Sequence, residues 1–376
     1  MKIAVPAESR PGELRVAAVP DTVATLVKAG HVVTVAAGAG FGAWLSDDDY
    51  RKAGAQVSDG DVLAGAEVVL HVRPLVAGDA ARLERGTVTI GFMSPAAELD
   101  GVRALRDAGT TSFSMELVPR ISRAQSMDAL TSQALVAGYR CALEAAMRLP
   151  RFFPLFMTAA GTVPPAKVLV LGAGVAGLQA IATARRLGAV VEAYYVRAAS
   201  ADEVRSMGAT FVDLQLEVVE GAGGYAREQG EDRARRQAEL LAPYVAKSDV
   251  LITTAAIPGR RAPLLVTGEM VRRMRAGSVV VDLAAETGGN CELSEPGAET
   301  AVNDVVVYGA SNLASSLSTH ASFLYARNIA EMLALLVSDG AFRPDFEDEI
   351  VSSTCVTCAG EIRHGATRAL IEGGSS

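Results

Sequence analysis

Gly172-Ala173-Gly174-Val175-Ala176-Gly177 follows the apolar run AKVLVL and opens the helical stretch LQAIATARRLG, which leads into a further apolar run. In that setting a GxGxxG string points to dinucleotide binding. The first glycine permits a tight turn, the second lets backbone amides approach a pyrophosphate at a helix N-terminus, and the third lets the helix pack close on the strand. A purely structural glycine turn is the alternative, and the strand, turn, helix, strand order favours the dinucleotide reading. An acidic residue is expected about 20 positions on, at the end of the next strand, to hold the ribose hydroxyls of NAD. Tyr194 and Tyr195 stand there instead, followed by Val196 and Arg197. Arg197 can face a 2′-phosphate, while Asp202 and Glu203 begin the next helix and can reach back, so the local residues leave both NAD and NADP open.

The second polar cluster is MELVPRISRAQSMDALTSQ, which gathers Arg120, Arg123, Gln125, Asp128 and Thr131. As chemistry, an arginine, an amide and a carboxylate in one loop suit the carboxamide and ribose of a nicotinamide. As structure, the same residues make a solvated loop with Asp128 or Thr131 capping the following helix. A third stretch, Glu217 to Gln237, contains GAGGYAREQGEDRARRQ where a doubly wound fold needs only a short connection. It reads either as a flap with Tyr225 at its tip or as a surface insertion ending in a charged helix. Cys355 and Cys358 form a CxxC, but a structural zinc needs four ligands, and Cys141, Cys291 and His364 do not complete a set. No metal is expected. The four histidines, His31, His71, His320 and His364, show neither ligand spacing nor a catalytic motif.

The elements that must position these residues are legible as rhythm. KIAVP, DTVATLVKAG and HVVTVAAG, then EVVLHV, TVTIGF and TTSFSM, alternate strand and helix character. A second series runs through AKVLVLGAG, AVVEAYYV, DVLITTA, SVVVDLA and VVVYGAS. At 376 residues the chain exceeds one domain of roughly 100–200 residues. Half its residues are apolar and 5% aromatic, which suits parallel strands covered on both faces. The expected fold is α/β: two Rossmann-like doubly wound parallel-sheet domains joined by long helices, near 132–149 and 318–336. Residues 1–131 and 319–376 form a discontinuous first domain, and 132–318 form the second, which carries the glycine motif. The first strand runs into AESRPGELR, which lacks closely spaced glycines, so the first sheet is not expected to bind the nucleotide.

A net charge of −8 offers no broad positive field, which argues against nucleic acid as a partner. Four cysteines make no disulfide framework, and MKIAVPAESR has no apolar signal region, so a cytoplasmic location is expected. The most apolar stretch, Lys167 to Val191, is broken by glycines and by Arg185 and Arg186, so the chain is not expected to cross a bilayer alone.

Over nearly its whole length the chain resembles the alpha subunit, or first domain, of proton-translocating NAD(P) transhydrogenases, relatives of alanine dehydrogenase. The blocks that carry the resemblance are PRISRAQSMDALTSQ, LGAGVAGLQAIATARRLGAVV, GGYAREQGE, IPGRRAP and GSVVVDLAAETGGNCELSEPG. By that resemblance, Arg120, Gln125 and Asp128 fall on the family's Arg-Gln-Asp loop, which positions the nicotinamide and meets the incoming NADP(H) component. Thr131 falls where a hydroxyl contacts the nicotinamide. The family's mobile loop matches Gly223 to Gln237 with Tyr225 at its tip, and Val175, Gly224, Gln237 and Ala256 fall on nucleotide contacts. Two places depart: Tyr195 replaces the family's ribose-binding Asp, and YGASNLASSLSTHAS lacks its proline and arginine.

The resemblance implies direct hydride transfer between NAD(H) on this chain and NADP(H) on a partner, coupled to proton translocation by membrane-spanning subunits. It also implies a homodimer, peripheral on the inner face of the cell membrane through its partners. Transfer between two nicotinamides needs no proton donor, so the lack of an evident acid is expected. An alanine-dehydrogenase-like enzyme acting on a small 2-oxo acid is the alternative. Arg15 in ELRVAAVP matches its carboxylate-binding position, but GFMSPAAE lacks the catalytic His. A subunit that keeps the fold and senses nucleotide without catalysis is a third reading, supported by Tyr195 alone.

Overall fold

The computed structural model describes residues 1–197, 200–216, 231–257 and 259–373. The chain divides into two compact units, Met1–Gln133 with Ala314–Ser376, and Ala134–Leu313. It leaves the first unit within the helix Ala129–Arg148 and re-enters it just before the helix Ser318–Leu336. Asp128 sets the start of the former helix, its carboxylate accepting the Thr131 amide at 2.8 Å. Pro150 follows its end, where a helix cannot continue.

In the first unit the strands are β1 (Lys2–Val5), β2 (Val32–Ala36), β3 (Gln56–Ser58), β4 (Val68–Leu70), β5 (Val88–Gly91) and β6 (Thr111–Ser114). The second unit carries β7 (Phe156–Thr158), β8 (Gly161–Val163), β9 (Lys167–Leu171), β10 (Val190–Tyr194) and β11 (Thr210–Phe211). It continues with β12 (Val250–Thr253), β13 (Val279–Asp282), β14 (Glu299–Val302) and β15 (Val305–Gly309). Back in the first unit, β16 (Val337–Ser338) and β17 (Ala341–Phe342) pair as a hairpin, and β18 (Cys355–Cys358) and β19 (Glu361–Ile362) join the sheet.

Among the described residues the first unit has an eight-stranded sheet ordered β19-β18-β6-β5-β4-β1-β2-β3. It is parallel from β6 to β3 and antiparallel at β18 and β19. Residues along β1 alternate between two cores, Ile3 and Val5 on one face and Ala4 on the other. Both faces are therefore dry, which explains why these strands read as continuous apolar runs rather than alternating ones. CxxC, with no helix or turn signal of its own, is the strand β18, with Cys355 opposite Phe113.

Among the described residues the second unit has a seven-stranded sheet, β11-β10-β9-β12-β13-β15-β14, parallel except at β14. Its order runs outward in both directions from β9, so the sheet is doubly wound and its direction of winding reverses between β9 and β12. Val168 and Val170 enter one core, Leu169 and Leu171 the other. Within FFPLFMTAAGTVPPA, which carries only loop signals in sequence, β7 and β8 form a hairpin that pairs Phe156 with Val163 and Thr158 with Gly161. Gly161 at φ +135° makes its tight turn. So short a hairpin leaves no periodic signal.

Candidate functional site

Ligands of doubly wound sheets bind beyond the carboxyl ends of the strands at the point where winding reverses. Gly172 to Gly177 and the segment after β12 stand there, on either side of that point. Gly172 has φ +116°, open to glycine and strained for other residues. Its carbonyl oxygen would lie 1.9 Å from a Cβ on Gly177, so helix and turn meet backbone to backbone at that residue. A Cβ on Gly174 would meet nothing within 4 Å. The middle glycine is thus the one with open space in front of it, at the N-terminus of the helix Val175–Arg186. Its first amides and dipole favour an anion, and Arg185 and Arg186 complement the dipole at the far end. Val175 and Ala176 are half-buried in the first helical turn, and Gly138 on the helix Ala129–Arg148 packs against the Ala176 backbone.

A polar scaffold that no sequence motif announces holds the opposing segment. Asp282, at the end of β13, is fully buried. Its carboxylate accepts from Thr253 Oγ1 at 2.9 Å, from the amides of Ala284, Asn290 and Cys291 at 3.0, 2.8 and 3.0 Å, and from Ser294 Oγ at 2.5 Å. That fixes Asn290, whose side chain accepts the Ala255 amide at 2.9 Å and donates to the carbonyls of Ala255 and Pro263, each at 2.8 Å. Thr254 Oγ1 in turn donates to Gly172 O at 3.3 Å. Ala256 is exposed directly after this clamp. The available signal was a lone aspartate closing an apolar strand, an unusual buried charge that needs several donors.

At the ribose end, Gly172 N donates to Tyr194 O at 2.9 Å, which brings the end of β10 beside the glycine turn. Tyr194 is buried, and burial pushes its hydroxyl up to about 12 against the opposing charge of Arg233. Tyr195 packs on one core and Val196 on the other, and the Arg197 guanidinium lies 4.9 Å from the Tyr195 ring centroid. Gln237 is in the helix Glu231–Lys247, so the end of the stretch that the resemblance assigns to a mobile loop is helical. Its Oε1 is buried without a hydrogen-bond partner among the described residues, the state of an acceptor that lacks its donor. Gly224 and Tyr225 lie outside the described residues.

The Arg120 to Thr131 cluster belongs to the first unit. Two 3₁₀ turns, Met115–Leu117 and Ser122–Met127, carry the chain from β6 to the helix Ala129–Arg148. Ala124 and Met127, three apart, turn the same side inward to the core. The back of the loop is fastened twice. Asn328 donates to Ser126 O at 2.7 Å, and Arg123 pairs with Asp348 at 2.6 Å, which holds the Asp348 carboxyl below its ordinary range. Arg120 and Gln125 are exposed. Asp128 and Thr131 are bound to each other, hydroxyl to carboxylate at 2.6 Å, so both serve the helix cap.

Arg15 is 4% exposed, and its guanidinium donates to both oxygens of Glu13 at 2.7 Å and to Gln133 Oε1 at 2.8 Å. Nearby Glu8 accepts the amides of Val72 and Arg73, and burial pushes its carboxyl up to about 7. This arginine already has a carboxylate. Among the described residues no group of three or more His, Cys, Asp or Glu is placed to hold a metal, and no helix is long and apolar enough to cross a membrane.

Two family models cover almost the whole chain: the N-terminal domain of alanine dehydrogenase/PNT matches residues 4–137 and the C-terminal domain matches 141–365. The chain belongs to the alanine dehydrogenase/PNT family. Within that family, an NAD(P) transhydrogenase alpha-subunit polypeptide of Rhodospirillum rubrum is 47% identical over 97% of this chain and 98% of its own length. A solved transhydrogenase from Sinorhizobium meliloti is 44% identical and superposes with a TM-score of 0.86, covering 97% of this chain and all of its own. L-alanine dehydrogenase shares the fold with a TM-score of 0.84 over 99% of both chains, but only 26% identity. The two Rossmann-like, parallel-dominated sheets expected from the sequence are thus those of the alanine dehydrogenase/PNT fold.

Proposed function

We propose that this chain is the NAD(H)-binding alpha subunit of a proton-translocating NAD(P) transhydrogenase. The observation that carries the reading is the glycine turn at the reversal point of the second sheet, with its open middle glycine and its clamped opposing segment. The names of the relatives at 47% and 44% identity support the transhydrogenase branch. Bound NADH supplies the hydride, and NADP+ on a partner polypeptide takes it. The task of this chain is to hold and orient. Gly172, Gly174, Val175, Ala176 and Gly177 take the pyrophosphate. Tyr195, Val196 and Arg197 take the adenosine ribose, and Gln237 and Ala256 make further contacts, with Gly224 and Tyr225 as the loop residues. Arg120, Gln125, Asp128 and Thr131 position the nicotinamide and meet the NADP(H) component. Catalysis of this kind rests on orientation and exclusion of water and needs no acid or base from the chain.

Arg15 speaks against the dehydrogenase alternative. Its bidentate pairing with Glu13 occupies the fork that a 2-oxo acid carboxylate would need. The test mixes the purified chain with the soluble NADP(H)-binding domain of a related transhydrogenase and follows NADH-dependent reduction of an NADP+ analogue. Reduction only with that domain present supports the proposal, whereas NADH oxidation by pyruvate and ammonia alone overturns it.

The proposal includes membrane-spanning partner subunits that couple transfer to proton movement, with the chain peripheral on the cytoplasmic face, and a homodimer. The support for the dimer is the β7–β8 hairpin. An isolated two-stranded hairpin is marginal in water, yet this one exposes Met157 at 77% beside Phe152 at 57% and Leu155 at 51%. Apolar surface of that kind calls for a cover. Phe156→Asp with Met157→Asp is expected to turn a dimer into a monomer in light scattering coupled to size exclusion. An unchanged mass would place the interface elsewhere.

A further inference from the structure

Asn290 is fully buried, and its backbone and side chain are engaged together. Its amide donates to the Asp282 carboxylate at 2.8 Å, and its carbonyl accepts the amides of Leu265 and Val266 at 2.8 and 3.0 Å. The side chain accepts the Ala255 amide at 2.9 Å and donates to the carbonyls of Ala255 and Pro263, each at 2.8 Å. A side-chain amide has one acceptor oxygen and two N–H donors. Here it meets both backbone groups of Ala255, the pairing a neighbouring strand would give, just past the end of β12. Resting on the reading of the second unit as the nucleotide site, we infer that Asn290 is a positioning residue for the bound dinucleotide. Backed by Asp282, it acts through Ala255 to set the width of the slot between the glycine turn and the segment after β12.

The held segment stands directly against the turn. A Cβ on Gly172 would lie 2.5 Å from Thr254 Oγ1 and 3.1 Å from the Ala255 nitrogen, and a Cβ on Gly177 would lie 2.9 Å from Thr254 Oγ1. At such contact a small shift of Ala255 passes to the turn, because close-packed interiors transmit strain. The support behind Asn290 is fixed by the sheet itself. Asp282 sits opposite Thr253 in the register of β12 and β13. Gly289, at φ +75°, lets the chain run onto the carboxylate, since a Cβ there would meet Ser294 Oγ at 2.7 Å and Asp282 Oδ2 at 3.0 Å. Fully buried, and with both side-chain N–H donors engaged, Asn290 acts on a ligand only through the segment it holds. That segment ends at the exposed Ala256.

The test titrates the whole chain with NADH, reading nicotinamide fluorescence, and records thermal unfolding for the parent, Asn290→Ala, Asn290→Asp and Ser248→Ala. Ser248 is the control. It is buried in the same unit, its hydroxyl donates to Tyr244 O at 2.7 Å, and it precedes β12 at the end of the strand away from Ala255. Folded Asn290→Ala is expected to bind NADH at least about tenfold more weakly than the parent, because the segment loses the partner of its buried backbone groups. Ser248→Ala is expected to bind within about twofold of the parent, whatever its loss of stability. Asn290→Asp keeps the shape but sets a carboxylate against the carbonyls of Ala255 and Pro263, and protonation returns one donor. Burial raises the pKa of the new carboxyl, so the variant's NADH affinity relative to the parent is expected to rise as the pH falls from about 8 to about 6. A role confined to stability would move the melting temperatures and leave the folded chains alike in affinity. Weakening by less than about tenfold in folded Asn290→Ala, equal weakening by Ser248→Ala, or an Asn290→Asp affinity that does not follow pH would each overturn the inference and leave the nucleotide site standing. So would failure of both Asn290 variants to fold, which would make the clamp part of the fold and not of the site. Failure of the unaltered chain to bind NADH would overturn the site itself.

Discussion

Gly177→Ala is expected to weaken NADH binding by about a hundredfold, whereas Gly174→Ala is expected to weaken binding without touching stability. A Cβ on Gly177 would sit 1.9 Å from Gly172 O and 2.9 Å from Thr254 Oγ1, so the turn, the helix and the segment after β12 must all move. Overpacking against backbone costs about 3 kcal/mol, which is about a hundredfold in affinity when the displaced backbone is the binding site itself. Gly174 has φ −77°, which alanine adopts freely, and nothing lies within 4 Å of its Cβ position. There a methyl group disturbs only what approaches from outside. Thermal unfolding and NADH fluorescence titration of both variants check this. Normal NADH binding by Gly174→Ala would contradict a pyrophosphate at the turn.

Gln125→Ala and Arg120→Ala are expected to cut hydride transfer to a partner-bound NADP+ analogue by about a hundredfold, the cost of a misplaced reactant, with far smaller change in NADH affinity. Both side chains are exposed, and the loop is held by other residues: Ala124 and Met127 in the core, Asn328 at Ser126, and Asp348 at Arg123. Removing an exposed side chain from a loop so anchored leaves the melting temperature within about a degree or two. Asp128→Ala behaves differently. It removes the carboxylate that accepts the Thr131 amide and hydroxyl, and costs about 1 kcal/mol of stability besides any effect on transfer. Single-turnover kinetics beside thermal melts separate the two. Unaltered transfer in both Gln125→Ala and Arg120→Ala would remove the loop from the reaction.

What the sequence made legible follows from strength of pattern. AKVLVL, DVLITTA and SVVVDLA are buried on both faces, so their apolar runs had to be strands, and the glycines fixed the turn after the first of them. The short pieces escaped. β3, β11, β14 and β19 are two to four residues long at or near sheet edges, too brief for a period to show. CVTC carried a chemical signal, the cysteine pair, that concealed a plain strand opposite Phe113 and Ser112. In the site, the glycine turn was legible because each glycine is needed at a definite spacing. The Asp282 and Asn290 scaffold was not, because its residues join only once β12 and β13 lie side by side. For Asp128 the two readings from sequence, cap and ligand grip, meet in one side chain. Its hydrogen bonds in the folded chain are those of the cap.

The measurement that reaches the central claim most directly follows deuterium from C4 of labelled NADH, with this chain and a soluble NADP(H)-binding domain in protonated water. Direct transfer between two nicotinamides predicts that the label appears in the reduced NADP product with none lost to solvent. Label in the water, or a product carrying solvent hydrogen at C4, would contradict it.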